Sequence, residues 1–220
     1  MATPKMLVPV QAGQGLLELL LRDLLERQHH PPERITVVAA AAAPQLAPLL
    51  ERLDRRLNLV CLSGVSRGVL HSLATALASH PPESCWVLHA DTHYPSAMLA
   101  CLLARPCPGV PLLSLAAAPP EEPLEVGVRL GADGRVAALG PGVGWPWRML
   151  PAVAWPAGLV PALLDPCHGS WSQWQLLAAL LRRPSPVRPE ALLLEGAAPF
   201  DVDTVDAWTQ ACADLEAAAC

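Results

Sequence analysis

Asp91 stands where a ligand-binding carboxylate would be expected. The stretch SCWVLHAD is an apolar run typical of a buried strand, and it ends abruptly at Asp91. Ligands of open α/β sheets bind at the carboxyl ends of the strands. A carboxylate there suits Mg²⁺, which takes oxygen ligands and in turn holds substrate phosphates. A purely structural role is equally open, because Asp91 could cap a helix that begins near Pro95.

A second acidic group lies in the segment PFDVDTVDAW. Asp201 and Asp203 are two residues apart there, so in a strand their side chains would point to the same face. Asp203 or Thr204 could instead cap a closing helix that begins near Val205. If Asp91 and Asp203 met in space, the pair would form a divalent-cation clamp for phosphoryl or nucleotidyl transfer. Sequence spacing leaves open whether they meet.

Strand and helix patterns alternate in the first part of the chain and would position these carboxylates. Four short apolar runs are typical of strands: KMLVPVQ, ITVV, NLVCLS and SCWVLHAD. Three segments between them have the spacing of amphipathic helices: LLELLLRDLLERQHH, PQLAPLLERLDRRL and SRGVLHSLATALASH. This order predicts βαβ units and a parallel sheet.

The second part of the sequence has a different pattern. LEVGVRLGADGRVAALG alternates apolar and other residues on both sides of Asp133 and Gly134, which predicts a β-hairpin. The proline- and tryptophan-rich segment PGVGWPWRMLPAVAWPAGLVPALLD predicts irregular cover with one short helix. SWSQWQLLAALLRR predicts an amphipathic helix that Ser170 or Ser172 could cap. EALLLEG predicts a further strand before the second acidic group.

Composition excludes several classes of protein. The 220 residues carry a formal net charge of -5, and Lys5 is the only lysine, so no nucleic-acid partner is expected. Prolines and glutamines interrupt the apolar runs well before the ~20 residues of a membrane span, and no signal-peptide pattern follows Lys5. Seven cysteines without a CxxC pair predict reduced thiols. We expect a soluble, cytoplasmic protein.

The order of these motifs resembles that of the sugar-phosphate and molybdenum-cofactor type nucleotidyltransferases. PKMLVPVQAGQGLLELLLRDLLE is similar to their K-x-L-x-P-V-x-G-x-P-L-L-E segment, and PFDVDTVDAW is similar to their W-F-D-V-D-T-P-E-D-L signature. VLHAD resembles the strand that ends in their metal-binding Asp. SRGVLHSLATAL resembles their glycine-containing loop and the helix after it, and VRLGADGRVAALG resembles their hairpin.

The resemblance implies an α/β fold of the GT-A type. This fold has three layers, is Rossmann-like, and would combine a mostly parallel central sheet with a β-hairpin insertion. It would occupy residues 1–220 as a single domain. Residues 1–105 would form the nucleotide-binding half, and residues 106–220 the acceptor-binding half.

The resemblance also implies a site and a reaction. Asp91 and Asp203 would bind Mg²⁺, Lys5 would contact phosphate, and the loop at Arg67 and Gly68 would lie near the nucleotide or the acceptor. The implied reaction moves a nucleoside monophosphate from an NTP to a phosphorylated small molecule, such as a sugar phosphate, and releases pyrophosphate. Positioning and charge neutralisation dominate the catalysis of such transfers.

One motif of the resembled family has no counterpart ahead of Lys5. In the family, a strand and a G-x-G-x-R loop precede the matching lysine, whereas here the residues before Lys5 are MATP. We therefore expect weaker phosphate binding, because that loop surrounds the triphosphate with backbone N–H groups. MLVPVQAGQG could serve instead, with Gly13 and Gly15 facing the first helix and binding the nucleotide. A plain turn explains the same two glycines.

Two other functions remain open at this stage. LHADTHYPSAML resembles the D-A-D-x-x-x-P segment of family-2-type glycosyltransferases, which use an NDP-sugar, with His89 at the place of the first acid. Alternatively, the chain is an inactive pseudoenzyme or scaffold subunit that binds a protein partner. Several tryptophans are consistent with such an interface or with a hydrophobic lid over the sheet; they are Trp145, Trp147, Trp155, Trp171 and Trp174.

Overall fold

The structure is a computed structural model that describes most of the chain. The described residues are 5–11, 13–28, 32–39, 43–54, 57–61, 69–78, 83–107, 109–163, 171–184, 187–195, 200–201 and 204–218. The helices are α1 (Leu16–Arg22), α2 (Ala43–Leu53), α3 (Val69–Leu77), α4 (Ser96–Leu103), α5 (Val160–Leu163), α6 (Gln173–Leu181) and α7 (Val205–Ala218). Two 3₁₀ turns cover Lys5–Leu7 and Ala157–Leu159, and a π-helical segment, Asp23–Arg27, continues α1.

Strands alternate with these helices in the first part of the chain and follow one another in the second. They are β1 (Pro9–Gln11), β2 (Gln14–Gly15), β3 (Ile35–Ala39), β4 (Leu57–Cys61), β5 (Cys85–Leu88), β6 (Thr92–His93), β7 (Leu112–Ala117), β8 (Leu124–Leu130), β9 (Val136–Gly142), β10 (Trp147–Trp155), β11 (Glu190–Leu193) and β12 (Phe200–Asp201). The predicted strands ITVV, NLVCLS and SCWVLHAD and the three predicted early helices are all confirmed within a few residues. The first predicted strand is confirmed only from Pro9, because Lys5–Leu7 forms the 3₁₀ turn.

Six strands form the largest sheet, in the order β11-β7-β10-β8-β9 with β5 also paired to β10. The β11–β7 pair is parallel, and the other described pairings of this sheet are antiparallel. A separate pair, β3–β4, is parallel. The predicted α/β class is confirmed, whereas the expected predominance of parallel pairing is not found in this sheet.

The difference arises from β10, which the sequence analysis assigned wrongly to irregular cover. This nine-residue strand pairs antiparallel with β5, β7 and β8 and so fills the middle of the sheet. Its register against β7 shifts between Met149 and Val153, around Pro151. Proline lacks a backbone N–H and is tolerated within sheets at such irregularities. A proline-rich sequence can therefore form a central strand here.

Trp155 belongs to the protein core, which is incompatible with one of its two predicted alternatives, a place in a partner interface. Its side chain is fully buried, and its indole Nε1 donates a hydrogen bond to Gln173 Oε1 at 2.9 Å. Gln173 is the first residue of α6, whose cap is Ser172, as one of the two predicted alternatives required. The indole thus fixes the start of α6 against the end of β10.

The predicted β8–β9 hairpin is confirmed, and Trp145 covers one side of it. A Cβ atom added to Gly127 would overlap the Trp145 side chain, and one added to Gly140 would contact it at 3.7 Å. The guanidinium of Arg129 lies 5.5 Å from the ring centroid of Trp145, a cation–π distance. The Trp145 indole therefore covers the part of the hairpin surface that Gly127 and Gly140 leave open, because they have no side chains.

Among the described α-helices, none has both the length and the apolar character that a membrane crossing requires.

Candidate functional site

Asp91 lies in a turn directly beyond the carboxyl end of β5, as the sequence predicts. The strand ends at Leu88, and Asp91 is half-buried and followed at once by β6. Pro95 occupies the N-cap position of α4, so Asp91 is not the N-cap residue of that helix. Asp91 therefore lies at the sheet edge, four residues before the N-cap of the next helix.

The hydroxyl of Tyr94 fixes this turn to the central sheet. It accepts a hydrogen bond from the backbone N–H of His89 at 2.8 Å and donates one to the Pro151 carbonyl oxygen at 2.9 Å. Tyr94 is the only tyrosine of the chain, and its side chain is buried. The residues on both sides of Asp91 are thus tied to the same point of β10.

A two-residue ladder brings the second acidic segment to the same turn. β6 and β12 pair antiparallel, with His93 opposite Phe200 and Thr92 opposite Asp201. Thr92 directly follows Asp91, so the chain carrying Asp201 passes one residue away from the predicted metal ligand. Asp203, the other predicted ligand, lies outside the described residues, and its meeting with Asp91 stays a prediction.

The N-terminal β1–β2 segment packs against α7, the helix that follows the second acidic segment. Trp208 of α7 donates a hydrogen bond from its indole Nε1 to the Pro9 carbonyl oxygen at 3.2 Å. Val10, Leu16 and Ala211 form a small buried cluster beside it. Three distant parts of the sequence therefore converge: the β1–β2 segment, the turn at residue 91 and the chain around β12.

Gly13 and Gly15 are each favoured in this segment for a different structural reason. Gly13 has a φ of +82°, which favours glycine in the turn between β1 and β2. A Cβ on Gly15 would come within 2.8 Å of the Met6 carbonyl oxygen and the Leu7 Cα, so close backbone packing requires glycine there. These contacts support the plain-turn explanation, and nucleotide binding by the two glycines stays a prediction.

The last two predicted site elements are Lys5 and the loop at Arg67 and Gly68. Lys5 begins the 3₁₀ turn that precedes β1, which places its backbone next to this segment. The loop at Arg67 and Gly68 lies outside the described residues.

A small cavity separates the β1–β2 segment from the turn. Its volume is about 60 Å³, and Gln11 and Gln14 line it on one side while Thr92 and His93 line it on the other. Asp23 also lines it, with its Oδ1 accepting a hydrogen bond from Ser96. Three leucines of α1 line it as well, and Thr92 directly follows Asp91 in the sequence.

A larger cavity opens on the other side of the turn. Its volume is about 320 Å³, and it lies between β8, β10 and the start of α6. His89 lines it next to the strand end, together with the ion pair of Arg148 and Glu122 and the indole of Trp174. Such a mixture of cationic, anionic and aromatic groups suits a small polar molecule that carries charge.

Asp91 supplies the turn with the kind of oxygen ligand that the predicted Mg²⁺ would need. In the described ranges no group of three or more His, Cys, Asp or Glu side chains could hold a metal ion. Zinc normally takes three or four protein ligands, whereas Mg²⁺ commonly takes one or two carboxylates and completes its shell with waters and phosphates. The Asp91 carboxylate would be one such ligand, and both the second acid and Mg²⁺ binding stay predictions.

Sequence reasoning missed the larger cavity and the role of Tyr94. The cavity was missed because Arg148 lies in the strand that proline content had assigned to irregular cover. The run MLPAVAW is apolar apart from its proline, and that continuity is a usable signal for a central strand. A lone buried tyrosine also signals a hydroxyl that needs a partner.

Solved structures share this fold at low sequence identity. A CTP:phosphocholine cytidylyltransferase from Streptococcus pneumoniae is 15% identical, with a TM-score of 0.73 over 97% of this chain and 90% of that one. An inositol-1-phosphate CTP transferase from T. maritima is 13% identical, with a TM-score of 0.76 over 97% and 88%. A UDP-glucose pyrophosphorylase complexed with UDP-glucose is 13% identical, with a TM-score of 0.74 over 99% and 92%.

These similarities confirm the predicted resemblance at the level of the fold. The chain has the fold of nucleotidyltransferases of the nucleotide-diphospho-sugar transferase superfamily. No protein-family model matches the sequence, and no curated protein matches it.

Proposed function

We propose that the chain is a Mg²⁺-dependent nucleotidyltransferase that moves a nucleoside monophosphate from an NTP to a phosphorylated small molecule. The observation that carries the proposal is the β6–β12 pairing, which draws the second acidic segment to the turn that holds Asp91. The fold shared with two transferases that use CTP and with a UDP-glucose pyrophosphorylase that binds UDP-glucose supports the reaction class. Residues 1–105 would bind the nucleotide, and residues 106–220 would bind the acceptor.

Each predicted residue has a role in this proposal. Asp91 and Asp203 would hold Mg²⁺, which neutralises phosphate charge when bound. Lys5 would offset the negative charge that develops on the phosphates. The glycines at 13 and 15, with Arg67 and Gly68, would border the nucleotide.

The chemical step needs positioning more than covalent help from the protein. An oxygen of the acceptor phosphate attacks the α-phosphorus of the NTP and forms a new P–O bond. The bond from that phosphorus to the oxygen bridging to the β-phosphate breaks, and pyrophosphate leaves with the bonding electrons. Holding the two reactants in line is where such enzymes gain most of their rate.

The larger cavity is the proposed acceptor site. His89, which is two residues before Asp91 in the sequence, lines this cavity. An acceptor held there would therefore be close to the proposed metal ligands. Arg148 supplies a guanidinium suited to a phosphate oxygen, since its planar donors match that geometry. Trp174 supplies an aromatic wall for the remainder of the acceptor.

The test is isothermal titration of the purified chain with each NTP, in Mg²⁺ and in EDTA. We expect Mg²⁺-dependent binding that weakens at least ~10-fold, about 1.4 kcal/mol, in Asp91→Ala. The matched control is Glu51→Ala, which removes an exposed carboxylate on α2 and should bind like the parent chain. Binding of NDP-sugars alone would replace the proposal with the glycosyltransferase. Binding of neither ligand would leave an inactive relative.

A further inference from the structure

The larger cavity has an excess of negative charge. Its charged lining groups are the carboxylates of Glu122 and Glu125 and the guanidinium of Arg148. Glu122 and Arg148 form an ion pair, so these two charges compensate each other. In the part of the chain that the structure describes, no cationic side chain pairs with the exposed Glu125. With His89 counted as neutral, the cavity therefore has one carboxylate more than its own cation balances.

Irregular strand pairing opens the cavity beside this carboxylate. Leu124 lies opposite Gly142 and Gly127 lies opposite Gly140, so β8 has one more residue than β9 over this stretch. Such a bulge redirects a side chain and is common next to active sites. The ladder between β8 and β10 is two residues long, and residues of both strands beyond it line the cavity. Glu125 thus lies in a bulge of the cavity wall.

An aromatic side chain supplies the second group that binds organic cations. Trp174, the second residue of α6, lines the cavity, and its side chain is half-buried. Indole faces attract cations more strongly than the other aromatic rings do. Several other lining side chains are apolar, among them Leu124 and Met149, and they suit the carbon atoms of a small organic molecule.

The charge of the acceptor phosphate makes the unbalanced carboxylate informative. A phosphate monoester carries roughly -1.5 to -2 charges at pH 7. An anion placed in a cavity that already has an unpaired carboxylate meets like-charge repulsion. An acceptor that brings its own cation to Glu125 removes this repulsion, whereas a neutral polyol does not.

We propose that the acceptor is a phosphate monoester of an amino alcohol. This inference rests on the proposed function, because it names the acceptor class of the same site. The ammonium or quaternary ammonium group lies between the Glu125 carboxylate and the Trp174 indole. The phosphate end lies toward Arg148 and the turn of Asp91. The ammonium group takes no part in bond making, so the transfer step stays that of the proposed reaction.

The experiment is isothermal titration of the full chain with two esters of equal shape. One is choline phosphate, and the other is 3,3-dimethylbutyl phosphate, in which a neutral carbon replaces the quaternary nitrogen. We expect the choline ester to bind about tenfold more tightly, since cation–π and ion-pair contacts act together. Each titration is repeated with Mg²⁺ and each α,β-methylene NTP, whose bridge between the α- and β-phosphates resists cleavage.

Two variants locate the cation. Glu125→Gln should reduce the preference for the choline ester to less than about threefold, because only the aromatic contact remains. Glu121→Gln is the matched control, since it removes an exposed carboxylate from the preceding turn that does not line the cavity. This control should keep the full preference.

Three results would overturn the proposal. They are equal or tighter binding of the neutral ester, a preference that Glu125→Gln leaves unchanged, and no binding of either ester under any of the conditions. Failure of the transferase reaction gives a different pattern. NTP binding without a preference between the esters refutes only the acceptor class, whereas a preference for the choline ester without NTP binding refutes the transferase and leaves the cation site.

Discussion

The Tyr94 hydroxyl and the Pro151 carbonyl oxygen are 2.9 Å apart, and this hydrogen bond joins the turn of Asp91 to an irregularity in the central strand. The strand loses regular pairing around Pro151, and the tyrosine uses the carbonyl of that residue. The irregularity around Pro151 thereby provides the hydrogen-bond acceptor that holds the turn of Asp91 against β10.

Tyr94→Phe should destabilise the protein and loosen the turn. The change keeps the aromatic ring but leaves the His89 N–H without its hydroxyl partner, and losing a buried partner costs about 1–3 kcal/mol. Urea unfolding measures the stability, and Mn²⁺ binding by electron paramagnetic resonance reports on Asp91. We expect weaker Mn²⁺ binding together with the loss of stability.

The control for this substitution is Thr75→Val, which removes a hydroxyl that bonds to the His71 carbonyl oxygen within α3. It should leave Mn²⁺ binding unchanged. If Tyr94→Phe also leaves it unchanged, the tyrosine has no positioning role at Asp91.

Gly15→Ala should be destabilising by about 1–3 kcal/mol, because the new methyl group would meet backbone atoms of Met6 and Leu7 that cannot rotate away. Thermal unfolding measures the effect. Gly158→Ala is the matched control, since nothing lies within 4 Å of its Cβ position. Equal melting temperatures for the two variants would contradict the close packing at Gly15.

Glu122→Gln should strengthen the binding of a phosphate monoester such as glycerol phosphate. The carboxylate pairs with Arg148 in the larger cavity, and removing its charge leaves the guanidinium available to an anion. A partly exposed pair is worth about 0.2–1 kcal/mol, so affinity should rise up to about fivefold. Glu83→Gln, which alters the pair with Arg34 elsewhere, should have no effect on titration with the ester.

Cys85 should resist alkylation at pH 8, whereas the exposed Cys101 should react. Burial raises the pKa of the Cys85 thiol from 9.0 to about 11, and the neighbouring Cys107 adds to the rise. The thiolate is the reactive form, so its scarcity protects Cys85. Mass spectrometry after iodoacetamide treatment distinguishes the two sites, and equal labelling in the folded protein would refute the protection.

The same raised pKa makes stability depend on pH. Between pH 9 and 11 the unfolded chain loses the Cys85 proton while the folded chain keeps it, so the contribution of this thiol to stability falls as pH rises through that range. Below pH 9 the contribution is complete. Cys85→Ala should flatten this part of the urea-midpoint profile, and an unchanged slope would count against the shift.

Local patterns predicted those elements whose residues repeat with a clear period. α1, α2, α3 and the hairpin around Asp133 and Gly134 all have many residues that agree with one spacing. β6 and β12 have two residues each, too few for any period, yet their pairing draws the acidic segment to Asp91.

Long-range contacts were the other limit of prediction from sequence. The bonds of Tyr94 to Pro151 and of Trp208 to Pro9 depend on how remote segments pack, which no local spacing encodes. The strand β10 was not predicted for a different reason. Proline usually excludes a central strand, and the irregularity that accommodates Pro151 arises only once the strands of the sheet have paired.

The cover that Trp145 gives to Gly127 has an evolutionary consequence. A side chain at position 127 and an indole at position 145 exclude each other, since both would fill the same volume. Homologous chains should therefore change the two positions together: those that keep the indole keep a glycine opposite it, and those that gain a larger residue at 127 lose the aromatic ring.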